Sequence, residues 1–134
     1  KVLFTDPSFF SLFQFSIAKG GYSFQHENSV LITQSTATRY FGSEDPIGKT
    51  IEFMLDRDTS STTYQVSGVL DDLPSNIHFH FDFLLPYREN MVYQSNVGVY
   101  TYFLLKPGAT SDAVESKFVT LNAQHHQAWG TDIS

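Results

Sequence analysis

Ser29-Val30-Leu31-Ile32-Thr33, Ala37-Thr38-Arg39-Tyr40-Phe41-Gly42, Asp45-Pro46-Ile47-Gly48-Lys49-Thr50 and Tyr64-Gln65-Val66-Ser67-Gly68-Val69-Leu70-Asp71 follow one another between Ser29 and Leu73. The order reads as strand, short helix, glycine stop, tight turn, strand and strand. Val30 to Ile32 is an apolar run short enough for a buried strand. Thr33 is placed to cap the next helix by accepting from an orphan N–H. Ala37, Tyr40 and Phe41 stand at i, i+3 and i+4, so they are expected to face a core. Gly42 sits where a left-handed residue ends a helix. Pro46 and Gly48 preset a turn over Asp45 to Gly48. Ile51 to Leu55 alternates weakly as a strand, and Asp56 to Thr63 is polar enough for a hairpin tip. In the strand Tyr64 to Leu70, a period of two puts Tyr64, Val66, Gly68 and Leu70 on one side.

Outward from this stretch, Lys1 to Thr5 reads as a short strand. Asp6-Pro7 opens a helix, because Asp accepts orphan N–H bonds and Pro loses none at the first helical position. Phe9, Phe10 and Phe13 share one face of that helix. Phe15 and Ile17 continue the apolar line until Gly20-Gly21 breaks it. Tyr22 to Asn28 is polar loop. Phe79, Phe81 and Phe83 alternate as on a half-buried strand, with His78, His80 and Asp82 pointing the other way. Glu89 to Asn96 is a polar loop, and Val97 to Lys106 is the clearest strand in the chain, closed by Pro107-Gly108. Asp112 to about His126 is an amphipathic helix, with Asp112 and Glu115 as a capping-box-like pair and Val114, Phe118 and Leu121 as its stripe. The sum is an α+β fold, with mixed small sheets and about three helices.

The 134 residues suffice for one domain with a modest core. Thirteen Phe against one Trp point to a core built on phenylalanine. A net charge of −6 argues against nucleic acid and against anionic lipid, since both need basic surface. There is no cysteine, which excludes thiol chemistry and Cys-type zinc sites. No apolar run approaches the ~20 residues that span a bilayer. The chain begins at Lys1 inside a strand-like segment and reads as an excised piece of a longer protein.

Chemistry has few candidates. His78, His80 and Asp82 would share a strand face and offer a facial metal set, but no fourth ligand or second shell is evident. His125 and His126 are adjacent on a helix and diverge by about 100°. His26 lies in a loop. Gly48-Lys49-Thr50 resembles the end of a phosphate-binding loop. The required first glycine is instead Ser43, and the elements come in the wrong order. No Gly-x-Ser-x-Gly elbow is present. Asp71-Asp72 could pair, although a turn-capping role suits adjacent strand-end residues better. Tyr87, Tyr93, Tyr100 and Tyr102 could form an aromatic platform for a glycan or peptide.

The ordered series is more specific than any single residue. It runs Thr5-Asp6-Pro7-Ser8-Phe9-Phe10, Asn28 to Thr33, Ala37 to Gly42, Asp45 to Thr50 and Tyr64 to Val69. Asp72-x-Pro74-x-Asn76-x-His78-Phe79 and Tyr102-Phe103-Leu104-Leu105-Lys106-Pro107-Gly108 complete it. The series resembles the MacB-like periplasmic core domain of ABC transporter permeases of the FtsX-like superfamily, in the form abundant in Bacteroidetes. The resemblance covers nearly the whole chain; Ile77 departs from it, where the family often has Ser. It implies an ectodomain between the first two of four transmembrane helices, with porter and sabre lobes. Residues 20–87 would be sabre-like, and 1–19 and 91–134 porter-like pieces of the 1–134 fragment. It also implies that the first porter strand and helix and the return to the membrane are missing. Such a truncated sheet would have an open edge that invites dimerisation or strand swapping.

The role implied by the resemblance is mechanical and non-enzymatic, without a cofactor in this domain. ATP hydrolysis on a cytoplasmic ATPase would be passed through the permease's transmembrane helices to the periplasmic side of the bacterial inner membrane. Export, lipoprotein release or signalling would follow. The implied partners are that ATPase, a second permease copy and a periplasmic adaptor or lipoprotein. The rivals are a stand-alone secreted ligand- or glycan-binding module using an aromatic face, and a metal hydrolase using His78, His80 and Asp82.

Overall fold

β3 (Ser29–Thr33) is the strand around which the sheet is arranged. In the computed structural model of the chain all five of its residues are buried, as befits a strand with both faces covered. The structure describes residues 1–22, 24, 26–54, 61–88 and 100–128, with side chains through 123. The other strands are β1 (Val2–Thr5), β2 (Ile17–Gly20), β4 (Thr50–Phe53), β5 (Thr62–Leu70) and β6 (Phe83–Pro86). The helices among the described residues are α1 (Phe9–Leu12), α2 (Gln34–Phe41) and α3 (Ser111–Ala128). The sheet runs β1-β6-β3-β5-β2, with β4 paired to β5 off that path. β1 and β6 are parallel, as are β3 and β5; the other pairs are antiparallel. A mixed sheet with three described helices is the α+β architecture expected.

Each face of this sheet carries its own core. Val30 and Ile32 of β3, Phe83 and Leu85 of β6, and Tyr64, Val66 and Val69 of β5 pack on one face beneath Ala37 of α2. Leu31, Leu84 and Leu70 from the same strands pack on the other, under Phe9 of α1. Seven phenylalanines gather on this second face: Phe9, Phe10, Phe13, Phe15, Phe24, Phe79 and Phe81. The expectation of a phenylalanine core applies chiefly there.

The local signals act as read in several places. Thr33 Oγ1 accepts from the Thr36 N–H at the start of α2. Gly42 ends that helix at φ +61°, its N–H bonded to the Thr38 carbonyl at 2.9 Å. The Lys49 N–H closes a turn on the Pro46 carbonyl at 3.1 Å, with Gly48 at φ +81° in its third position, where a type II turn needs glycine. The Asp6 carboxylate accepts from the Ser8 N–H at 2.7 Å, so Asp6 organises the entry to α1 although Ser8 is the residue flanking it.

Other expectations are corrected. Val30 pairs with Val66 but Leu31 pairs with Gly68, so Ser67 is an extra residue in β5. This bulge reverses the alternation: Tyr64, Val66 and Val69 share one face, and Leu70 lies on the other. Phe79, Phe81 and Phe83 likewise do not share a face, because β6 begins only at Phe83 and the chain bends at Asp82. β2 forms where sequence showed only an apolar line ending in glycine; its Gly20 pairs with Gly68. Tyr40 is 56% exposed and meets the core only at its edge, through a T-shaped contact with Phe83 at 5.5 Å. Thr110, rather than the Asp112–Glu115 pair, flanks the start of α3, its hydroxyl accepting from the Ala113 N–H at 3.4 Å.

The chain divides into two compact units, residues 1–100 and 101–134. The first holds the sheet. In the second, Thr101 to Lys106 forms no strand among the described residues, and Phe103 touches Phe118 of α3 at 5.6 Å. The strand expected over Val97 to Lys106 is therefore absent from its described part, since a strand exists only with a hydrogen-bonded neighbour. Residues 97–99 lie outside the described residues, as do 89–96 and residues 56–60 of the hairpin tip expected over 56–63, whose Thr62 and Thr63 instead open β5. Phe118 and Leu121, the expected buried stripe of α3, are about half exposed.

Candidate functional site

Asp82 is among the most connected polar residues described in the first unit. It stands at the bend before β6, beside the start of β1 and the exposed side of α2. Its carboxylate receives the amino group of Lys1, the Arg39 guanidinium at 3.0 Å and the Thr36 hydroxyl at 3.3 Å. Its backbone continues the network: the Asp82 N–H donates to the Lys1 carbonyl at 2.8 Å, and the Thr33 N–H to the Asp82 carbonyl at 3.1 Å. These bonds hold β1, α2 and β6 at one corner of the sheet. His78 and His80 are exposed in the preceding loop. Among the described residues no three His, Asp or Glu side chains converge as a metal site requires. The facial set read from alternation depended on a strand that does not extend back to His78.

In the 134-residue chain, whose amino terminus is Lys1, the Asp82 carboxyl is held below its usual value, first by the hydrogen bond from that amino group and then by Arg39; partial burial opposes the shift. A carboxyl whose folded value is depressed adds stability above its unfolded value, near ~3.9, and loses it as pH falls through the folded value. Asp82→Asn is therefore expected to cost about 1 kcal/mol at neutral pH, discounted for solvent screening. It should also flatten the fall in stability below about pH 4. Urea midpoints of both proteins across that range test this; parallel curves would show that Asp82 makes no net contribution.

The Gly48-Lys49-Thr50 turn borders a shallow hollow of about 460 Å³, lined also by Tyr40, Phe41 and Glu44. Its groups are already engaged. The Gly48 N–H donates to the Val66 carbonyl at 2.8 Å, and Lys49 Nζ pairs with Glu44 and lies 5.6 Å from the centre of the Phe41 ring. The Gly48 and Lys49 N–H groups are both bonded within the protein, so the turn does not offer them as a phosphate cradle.

Asp71 and Asp72 diverge. Asp72 accepts from the Ser35 N–H at 2.9 Å and from its hydroxyl, supplying an anion to the first turn of α2. Sequence offered no signal for this cap, because its two halves are 37 residues apart. Asp71 is exposed. A second hollow, about 660 Å³, lies between residues 12–16 and 71–79. Of the tyrosines considered as a platform, Tyr87 is half-buried and Tyr100 is 90% exposed. Tyr102 belongs to the second unit and Tyr93 lies outside the described residues. His26 is exposed in its loop, and the backbones of His125 and His126 lie in α3. No helix among the described residues is long and apolar enough to cross a membrane.

The fold has counterparts among solved structures. One is a domain described as part of a permease protein from Porphyromonas gingivalis; it is 22% identical, with a TM-score of 0.69, and the match covers 93% of this chain and 59% of that one. Another is the periplasmic region of MacB from Actinobacillus actinomycetemcomitans, 17% identical, with a TM-score of 0.65, covering 94% of this chain and 56% of that one. The chain thus spans less than two thirds of the length of either structure. No curated protein matches it in sequence. The family profile described as the MacB-like periplasmic core domain matches residues 1–121. With nearly all of the sheet-forming sequence inside that match, the chain belongs to the family of MacB-like periplasmic core domains.

Proposed function

We propose that the chain is the periplasmic portion of an ABC transporter permease and acts as a non-catalytic coupling module. ATP hydrolysis on a cytoplasmic ATPase would be passed through the permease's transmembrane helices to this domain, to drive export, lipoprotein release or signalling outside the membrane. The family match over residues 1–121 carries the reading. The geometry agrees with it: the polar groups of the Asp82 corner and of the Gly48 turn bind one another and hold strands and helix together. The partners proposed are the ATPase, a second permease copy and a periplasmic adaptor or lipoprotein. Residues 20–87 are proposed as the sabre-like lobe, and 1–19 and 91–134 as porter-like pieces. β1 from the first of these porter-like pieces and β6 from the lobe lie side by side in one sheet, so this boundary crosses a continuous sheet.

The absence of cysteine makes the location testable. Met54 is 75% exposed. Met54→Cys, in the intact permease carrying no other cysteine, is expected to react with a membrane-impermeant maleimide in unbroken spheroplasts. Reaction only after lysis would place the domain on the other side and end the reading. In the purified permease–ATPase assembly, trapping ATP with vanadate is expected to change that labelling rate. Equal rates with and without ATP would remove the coupling.

A further inference from the structure

β1, β2 and β4 stand at the edges of the sheet, β2 and β4 along one side of β5 and β1 at the far end. Edge strands invite pairing with another chain unless a charge, a bulge or a break blunts them. β2 has such guards: its register shifts between Ile17 and Lys19, and Lys19 pairs with Asp45 at 3.6 Å. β4 carries Glu52, whose carboxylate accepts from the Ser61 hydroxyl. β1 is Val2-Leu3-Phe4-Thr5, uncharged, free of proline and in unbroken register with β6.

The outer side of β1 is open among the described residues. The Lys1 carbonyl accepts from the Phe83 N–H at 3.1 Å, and the Thr5 carbonyl from the Tyr87 N–H at 2.8 Å. Lys1 and Thr5 therefore face β6, as Leu3 does between them, and alternation turns the N–H and C=O groups of Val2 and Phe4 outward. No strand among the described residues meets them there. Val2 and Phe4 pack on one core cluster and Leu3 on the other. All three are nonetheless only half-buried, whereas every residue of β3, flanked on both edges, is buried.

We propose that two copies of this chain pair antiparallel through β1, extending one sheet across both. With the twofold axis at Leu3, each Val2 meets the Phe4 of the other copy, and their outward backbone groups come into register. The side chains match too: a β-branched residue stands opposite an aromatic one, a favourable cross-strand pair, and Leu3 meets Leu3. The ends match in charge, since Lys1 comes beside the Asp6 of the other copy; parallel pairing would set like charges together. The Asp6 carboxylate accepts from Ser8 through Oδ1 alone, which leaves Oδ2 for Lys1. Repulsion between two chains at net −6 acts over longer distances, where salt screens it. The pairing gives the second permease copy proposed above a contact surface, but it is a property of the chain alone and does not rest on the coupling role.

Sedimentation equilibrium of the 134-residue chain over a range of concentrations, with amide hydrogen exchange in the same range, is the test. The weight-average mass is expected to rise with concentration toward that of a dimer. Exchange at Phe4 should slow over that rise, while Leu3, bonded to β6 in one copy or two, should change far less. Val2→Pro removes an outward N–H and leaves the pairing with β6 in place, so it is expected to weaken dimerisation at least about tenfold. Should that variant fail to fold, the exchange pattern of the unaltered chain decides the matter. A single-chain mass at every concentration would overturn the proposal. So would a dimer that leaves Phe4 exchange unchanged or is indifferent to Val2→Pro, and it would point instead to exposed apolar side chains such as Leu104 and Val119. These measurements use the chain alone, so the maleimide result stands or falls separately.

Discussion

Gly68→Ala is expected to lower the stability of the chain by roughly 3 kcal/mol, at the top of the usual range for overpacking. A methyl group at this position would run into the Gly21 carbonyl oxygen from one side and Leu31 Cδ2, 2.7 Å away, from the other. The first obstacle is backbone and cannot rotate aside. The second is a fully buried side chain at the centre of the sheet. Gly20, the partner of Gly68 in the register, is as tightly placed: a methyl there would stand 2.5 Å from the Ser67 carbonyl oxygen. Two glycines facing one another let β2 close on the bulged part of β5, where side chains would force the strands apart. Gly108→Ala separates crowding from backbone strain. Its φ is +84° but nothing lies within 4 Å, so about 1 kcal/mol is expected from conformation alone. Urea unfolding of the two variants tests the difference; equal losses would show that the approach of β2 to β5 places no steric demand on Gly68.

Leu31→Ala is expected to cost about 3–4 kcal/mol, within the range for emptying a closed core site. Leu31 is fully buried in the central strand, with β6 on one side and β5 on the other. The surrounding rings are braced against one another and have little freedom to fill the space. Leu104→Ala removes the same atoms at a site 81% exposed and is expected to change stability by less than about 0.5 kcal/mol. A loss at Leu104→Ala as large as at Leu31→Ala would show that the cost of these truncations does not follow burial.

These two sites also bear on the coupling role proposed for the domain. The central strands are buried on both faces and locked by backbone fit. The Asp82 corner, the Asp72 cap and the Gly48 turn then fasten the periphery through polar groups that satisfy one another. The proposed coupling would require a body that moves as a unit when a displacement passes from membrane to partner, and fastening of this kind favours one.

Much of the local structure was legible in the residues themselves, because its causes act over a few positions. Thr33 caps α2 with its own hydroxyl, Gly42 ends the helix in a conformation that other residues resist, and Gly48 supplies the positive φ its turn demands. The apolar run from Val30 to Ile32 is enough to announce a buried strand. The ordered spacing of such signals was sufficient to reveal the family. Long-range pairing decided the remainder. β2 became a strand because Gly20 and Gly68 let two backbones meet, a contact no local pattern encodes. The extra Ser67 in β5 moved Leu70 to the opposite face, and a late start to β6 separated Phe83 from Phe81. Alternation predicts faces only while the register is unbroken, and register is a property of two strands. The stretch from Ser29 to Leu73 therefore carries in its own residues the order of its elements and their caps. The direction in which half of β5 points, and the carboxylate that caps α2 from Asp72, arise only when distant parts of the chain are brought together.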